Sequence, residues 1–324
     1  MTKNNFLRGF EAGEPRISGF FKLQKIRTNK KLVFHHRPKI IVILGQTATG
    51  KSSLAVKIAK KLNGEIVSAD SRQVYKYLNI GTGKITKKEM RGVPHHLLDF
   101  AHPKNKFTVA EHQKQAISAI ADILKRGKTP IICGGTGFYI DAITKGIVFP
   151  EVPPNNKLRK SLEKRSAPKL FKILKKLDKA RAENIDQKNE QNNKVRLIRA
   201  IEIAKYLGKV PKIKKIKPKY EFIQVGLKIT AEELNKNINK RVDAMFKAGL
   251  LKEIQRLKKF GITDKRLREF GFEYNKPDKE PVKLKTLQYA KRQNTWFKRE
   301  KNIKWFNPKE YKSIETYISR ELNG

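Results

Sequence analysis

The chain of 324 residues has a single cysteine, Cys133, and only 30 acidic residues against 74 lysines and arginines. One thiol excludes a disulfide within the chain and a cysteine-based zinc finger, and it suits a reducing compartment. No apolar stretch approaches the roughly 20 residues that a membrane span needs. No internal repeat stands out. Residues 1–37 lack an apolar segment long enough for a secretory signal. They are basic but include Glu11 and Glu14. They read as a flexible extension or an over-called start, with a mitochondrial transit peptide as the lesser alternative.

What the chain does have is positive charge, a formal +44. A field of that sign favours a polyanion: nucleic acid, an anionic membrane or a phosphorylated substrate. Lysine-rich composition accounts for part of the excess, not all of it. With 38% hydrophobic and 32% charged residues, the chain is globular with a large wetted surface.

Residues 40–44, Ile-Ile-Val-Ile-Leu, form an unbroken apolar run, which suits a strand buried on both faces. A loop over 45–52 and a helix over 53–62 follow. Further strands are expected at 65–68, ending at Asp70, and at 130–133, ending at Gly134-Gly135-Thr136-Gly137. Between them, Thr108 and Glu111 open a helix with a capping box, and Gly127 closes it. Alternating strands and helices predict a parallel α/β sheet, whose ligands bind at the carboxyl ends of the strands.

After Pro153-Pro154 the texture becomes helical through residue 207. Residues 209–219 hold six lysines and two prolines, as a solvated linker or an RNA-facing edge. Strand character returns at 221–229. Thr230 and Glu233 then cap a helix expected to run to Gly261, with Val242, Met245, Phe246, Leu250, Leu251, Ile254 and Leu257 on one face. A last helix is expected over 283–299. The fold class is thus an α/β, P-loop NTPase-like parallel sheet flanked by helices, with an inserted all-helical domain. The core comprises 38–150 and 216–324, and the insertion 151–215.

Gly45-Gln46-Thr47-Ala48-Thr49-Gly50-Lys51-Ser52 fits G-x-x-x-x-G-K-[ST] between a strand and a helix. Backbone N–H groups and the helix amino end suit phosphate there. Lys51 neutralises phosphate oxygens, and the Ser52 hydroxyl suits Mg²⁺. The loop says phosphate, with ATP as its default ligand.

Asp70, in Ser68-Ala69-Asp70-Ser71-Arg72-Gln73-Val74-Tyr75, could be a magnesium ligand, a general base or a cap. The paired His95 and His96 read more readily as packed or surface histidines than as metal ligands.

Together these residues resemble the tRNA dimethylallyltransferases. The resemblance rests on 45–99, on Gly134-Gly135-Thr136-Gly137-Phe138-Tyr139 and on Val195-Arg196-Leu197-Ile198-Arg199-Ala200-Ile201-Glu202. Two later segments join them: 241–250, and Tyr289-Ala290-Lys291-Arg292-Gln293-Asn294-Thr295-Trp296-Phe297. The motifs keep the family's order over roughly residues 40–306. Gln46, Thr49, Gly83 and Phe272 depart from the residues usual there. The zinc-finger tail of eukaryotic members is missing, which suggests a bacterial-type enzyme.

The resemblance implies that the loop holds dimethylallyl diphosphate rather than ATP, with Mg²⁺. N6 of an adenosine beside the anticodon, at position 37, attacks the allylic carbon, and pyrophosphate leaves. It implies Asp70 as general base and Thr47 and Arg241 as diphosphate contacts. It implies tRNA contacts at Asp70, Ser71, Arg72, Gln73 and Thr136, at Val195, Arg196, Leu197, Ile198 and Arg199, and at Arg268, Glu269, Phe270, Gly271, Phe272 and Glu273. The Lys291-Arg292-Gln293 cluster could touch phosphate, whereas Trp296 and Phe297 read as core anchors. The partners expected are tRNA, through its anticodon stem-loop, and the prenyl donor, with no membrane. A cytoplasmic monomer is expected. The rivals are a P-loop small-molecule kinase or ATPase, a free-nucleotide isopentenyltransferase and a non-enzymatic RNA binder.

Overall fold

The computed structural model describes residues 37–324. Arg37 apart, the expectation for residues 1–37 lies outside them. The chain opens with β1 (Lys39–Gly45), α1 (Lys51–Lys61) and β2 (Gly64–Ser68). A short α2 (Lys87–Met90) and β3 (His95–His96) precede α3 (Val109–Lys125), β4 (Thr129–Gly134) and α4 (Gly137–Thr144). Next come β5 (Ile147–Val148), the helices α5 (Asn156–Glu163), α6 (Ala167–Leu177), α7 (Lys179–Asp186) and α8 (Lys194–Leu207), and β6 (Lys214–Lys215). The remainder is β7 (Glu221–Leu227), α9 (Ala231–Lys247), α10 (Leu250–Lys259), α11 (Asp264–Phe270), α12 (Lys279–Phe297), β8 (Ile303–Phe306) and α13 (Tyr311–Asn323).

Six strands form one sheet in the order β3-β2-β4-β1-β7-β8, and every pairing in it is parallel. β1 lies inside the sheet with helices on both faces, so its apolar run is unbroken. Ile40, Val42 and Leu44 point into one core with Ile120 of α3, Ile140 of α4 and Phe297 of α12. Ile41 and Ile43 point into the other, with Ile58 of α1 and Ile314 of α13. Each such fully buried isoleucine contributes about 1.5–3 kcal/mol relative to exposure. The sheet's carboxyl edge, where β1, β2 and β4 end, is thereby fixed in place.

The capping boxes read at Thr108 and Thr230 are formed, each with its glutamate bonded back to the cap. Helices α5–α8 enclose their own apolar cluster, including Leu170, Leu174, Leu197 and Ile201.

Three expectations need correction. The helix opened at Thr230 is two helices, broken at Gly249 with φ +96, and Leu251 is half exposed rather than on the apolar face. Residues 209–219 are not simply a linker: Lys214 and Lys215 pair antiparallel with Val148 and Ile147. The last expected helix starts at Lys279, and β8 and α13 follow it. Among the described residues no helix is long and apolar enough to cross a membrane.

Candidate active site

The phosphate loop leaves β1 at Gly45 and enters α1 at Lys51. Gly50 takes φ +86, a left-handed conformation that disfavours a side chain, and so turns the chain into the helix. The loop is held internally by Thr49 Oγ1 donating to Gln46 O at 2.8 Å, and Lys51 Nζ also donates to that carbonyl. It is held externally by α12. Gln46 Nε2 donates to Ala290 O at 3.0 Å, and the Thr47 amide donates to Gln293 Oε1 at 2.8 Å. Gln293 Nε2 in turn donates to Gly135 O at 2.8 Å, in the loop that follows β4. Helix α9 completes the frame, with Asn237 Nδ2 donating to Ala48 O at 3.1 Å.

Asp70 follows β2. Its Oδ1 accepts from the amides of Arg72 at 2.9 Å and Gln73 at 3.1 Å and closes a turn; residues 71–74 form no helix, so Asp70 caps a turn and not the expected helix. Oδ2 has no protein donor among the described residues and remains available for chemistry. Asp70 and Arg241 both act on Lys51. Burial pushes the Lys51 ammonium down to about 8; Arg241 adds to the effect and Asp70 opposes it. Burial also lowers Arg241, and nearby Asp70 works the other way. Cys133, beneath the loop, is pushed up to about 12 by burial and stays a thiol.

Arg241 projects from α9 and donates to Thr82 O at 3.0 Å and Gly83 O at 3.4 Å. Gln73 Nε2 reaches the same two carbonyls, at 3.3 and 3.4 Å. A Cβ at Gly83, where φ is +55, would overlap the Arg241 guanidinium, so glycine permits this approach.

Beside this cluster, Ser71 N donates to Thr136 Oγ1 at 3.1 Å. Arg72 pairs with Glu273 at 2.5 Å and lies 5.3 Å from the Tyr289 ring and 5.8 Å from the Phe272 ring. The structure therefore brings together residues 45–52, Asp70, Ser71, Arg72, Gln73, Thr136, Arg241, Phe272 and Glu273.

Other expected contacts fall elsewhere. Leu197 and Ile198 are buried in the helical cluster of α5–α8, and Phe270 in a cluster with Tyr75 and Leu267. These three side chains are corrected from RNA contacts to packing residues, because helical periodicity turns them inward. Val195 is 80% exposed, on the same helix. Arg196 pairs with Glu190, and Arg199 pairs with Glu202 and donates to Val152 O at 3.0 Å. Arg268 is exposed, Glu269 pairs with Arg266 and Lys106, and Gly271 takes φ +135 next to Arg72.

Tyr289 and Asn237 join the site without having been assigned to it, and Gln293, expected only within a cluster that could touch phosphate, holds the loop itself. The sequence signal was spacing: Tyr289 and Gln293 are four apart on α12, as are Asn237 and Arg241 on α9, so each pair shares a helix face. Trp296 and Phe297 anchor the core, the indole donating to Asp141 Oδ2 at 3.2 Å. His95 and His96 are structural: one bonds Val93 O at 2.8 Å, the other Glu65 Oε2 at 2.7 Å. No group of three potential metal ligands exists among the described residues. A magnesium ion bound mainly by substrate phosphates needs only one or two protein oxygens. Exposed Ser52, on the first turn of α1, fits that requirement.

The pattern of the IPP transferase family matches residues 73–300. The tRNA dimethylallyltransferase of Anoxybacillus flavithermus is 40% identical over 300 residues, covering 88% of this chain and 94% of the relative. That of Caldanaerobacter subterraneus is also 40% identical, over 86% and 94%. The crystal structure of the tRNA isopentenylpyrophosphate transferase from Bacillus halodurans superposes with a TM-score of 0.64 at 34% identity, over 89% of this chain and 97% of that one. A eukaryotic dimethylallyltransferase, solved in snapshots of its action on tRNA, gives 0.71 at 28% identity, over 88% and 77%. A family match across most of the chain, joined to relatives of this identity and coverage, makes the protein a member of the IPP transferase family.

Proposed function

We propose that this protein transfers a dimethylallyl group from dimethylallyl diphosphate to N6 of the adenosine at tRNA position 37, releasing pyrophosphate. The observation that carries the reading is the juxtaposition of three segments at one sheet edge. The phosphate loop, the Asp70 carboxylate and the Arg241 guanidinium converge there in a chain whose relatives are tRNA dimethylallyltransferases.

In the reaction the allylic C–O bond breaks and a C–N bond forms. Negative charge develops on the diphosphate, and Lys51, Arg241 and the amino end of α1 would meet it. Ser52 would hold a magnesium ion, whose charge would help to neutralise the leaving group. The attacking amine sheds a proton, and Asp70 Oδ2 takes it while Oδ1 keeps the turn closed. A stacked base cannot reach this edge, so the adenosine must flip out at a cost of a few kcal/mol. Arg72, near the Tyr289 and Phe272 rings, would contact the anticodon arm.

The test is mass spectrometry of tRNA after incubation with purified protein, dimethylallyl diphosphate and Mg²⁺. A mass gain of one dimethylallyl group on the base beside the anticodon is expected. Unmodified tRNA, with turnover of ATP instead, would overturn the assignment in favour of a P-loop kinase or ATPase.

A further inference from the structure

The carbonyls that hold Arg241 belong to a short loop, residues 79–84, and that loop is organised by a carboxylate from another helix. Glu253 on α10 is 7% exposed. Its Oε2 accepts from the amides of Asn79 at 2.9 Å and Ile80 at 2.8 Å. Its Oε1 accepts from the Gly81 amide at 3.1 Å and the Tyr274 hydroxyl at 2.9 Å. All four partners are neutral donors. Three consecutive backbone N–H groups converging on one side chain fix the direction of the peptides around them.

The rest of the loop closes on itself. Gly83 N donates to Ile80 O and Lys84 N to Asn79 O, both at 2.9 Å, and Thr82 Oγ1 donates to Leu78 O at 2.7 Å. The buried Lys84 ammonium ties the far end to Tyr75 O at 2.7 Å and to Asp99 at 2.6 Å. With the amides of Asn79, Ile80, Gly81, Gly83 and Lys84 held in this way, the loop presents the Thr82 and Gly83 carbonyls to Arg241 and Gln73. Gly249 separates the two helices involved. Arg241 on α9 and Glu253 on α10 thus reach one loop from consecutive helices.

We propose that Glu253 is a positioning residue for the diphosphate site. It shapes the 79–84 loop, and the loop in turn orients Arg241. The inference rests on the reading of Arg241 as a diphosphate contact. Glu253 itself touches neither substrate.

The experiment uses the full chain, with inorganic pyrophosphate as the binding probe and prenyl transfer to tRNA as the kinetic one. Glu253→Gln loses one acceptor facing the loop amides. It should weaken pyrophosphate binding and raise the donor KM by about tenfold, the scale of one lost charge-assisted hydrogen bond. The Kd for tRNA should stay within about twofold. In an Arg241→Gln background the same substitution should add less than about twofold, because both changes act through one guanidinium. Tyr274→Phe keeps the carboxylate and removes one of its donors. It should give a smaller loss of the same kind, and it supplies the test if Glu253→Gln does not fold.

Equal weakening of tRNA and pyrophosphate, or full multiplication of the two single effects, would overturn the inference and leave Glu253 a stability residue. A wild-type protein that binds pyrophosphate but transfers no prenyl group would instead sink the proposed function.

Discussion

The Thr47 amide donates to the Gln293 side chain at 2.8 Å, joining the phosphate loop to a helix 246 residues further along the chain. The same carboxamide grips Gly135 O, so one side chain spans the ends of β1 and β4. Gln293→Ala should orphan a donor and an acceptor, costing about 1–3 kcal/mol. A lower melting temperature and a raised donor KM are expected. An unchanged melting temperature would show that neither bond matters.

Asp70 has two jobs that a substitution can separate. Asparagine keeps an oxygen for the Arg72 and Gln73 amides but cannot take a proton. Asp70→Asn should therefore fold and bind tRNA normally while turnover falls by about 10²–10⁴. Single-turnover kinetics beside a tRNA-binding curve would check this, and wild-type turnover would remove Asp70 from the chemistry.

Lys51 gives a pH signature. Its folded pKa of about 8 lies below its ordinary 10.5, because burial disfavours the charge. Between those values the unfolded chain holds the extra proton, so this group's contribution to stability rises with pH across that window. Donor binding runs the other way. The cation that phosphate needs is present below about 8 and is lost above it, so the donor KM of the free enzyme should climb as pH passes 8. Lys51→Arg should move that climb to higher pH. A flat profile would show that Lys51 does not meet the donor.

The exposed lysines around β6 offer a test by salt. Lys214 and Lys215 stand in solvent on a strand held by β5, and Lys212 and Lys217 stand in solvent on either side of it. Changing all four to alanine should flatten the dependence of log Kd for tRNA on log salt by about 3 to 4 units if each meets a phosphate. The donor KM should not move. An unaltered slope would place the RNA elsewhere.

Much of this site was legible because its parts are local. The Gly45–Ser52 loop is a contiguous signature, and the 40–44 run and the boxes at Thr108 and Thr230 each lie within a few residues. What escaped depends on distance. Nothing near Gln293 announces that it will meet Thr47, and nothing near Glu253 announces three amides some 170 residues away. The misplacement of Leu197, Ile198 and Phe270 has another origin. A motif spans both faces of a helix, so carrying over a whole segment includes residues whose side chains build the core. The split at Gly249 was missed because the apolar spacing continues across it almost in phase.

The pairing of β1 with β7 has a consequence for synthesis. Ile43 and Val225 sit side by side, yet all of the helical insertion is translated between them. A nascent chain can lay β1, β2 and β4 together early, but one flank of β1 stays open until β7 leaves the ribosome. An apolar strand with an unfilled edge is a template for pairing with other chains. A message truncated before residue 221 should accordingly yield insoluble product, while the α5–α8 cluster, which closes on its own side chains, escapes that fate.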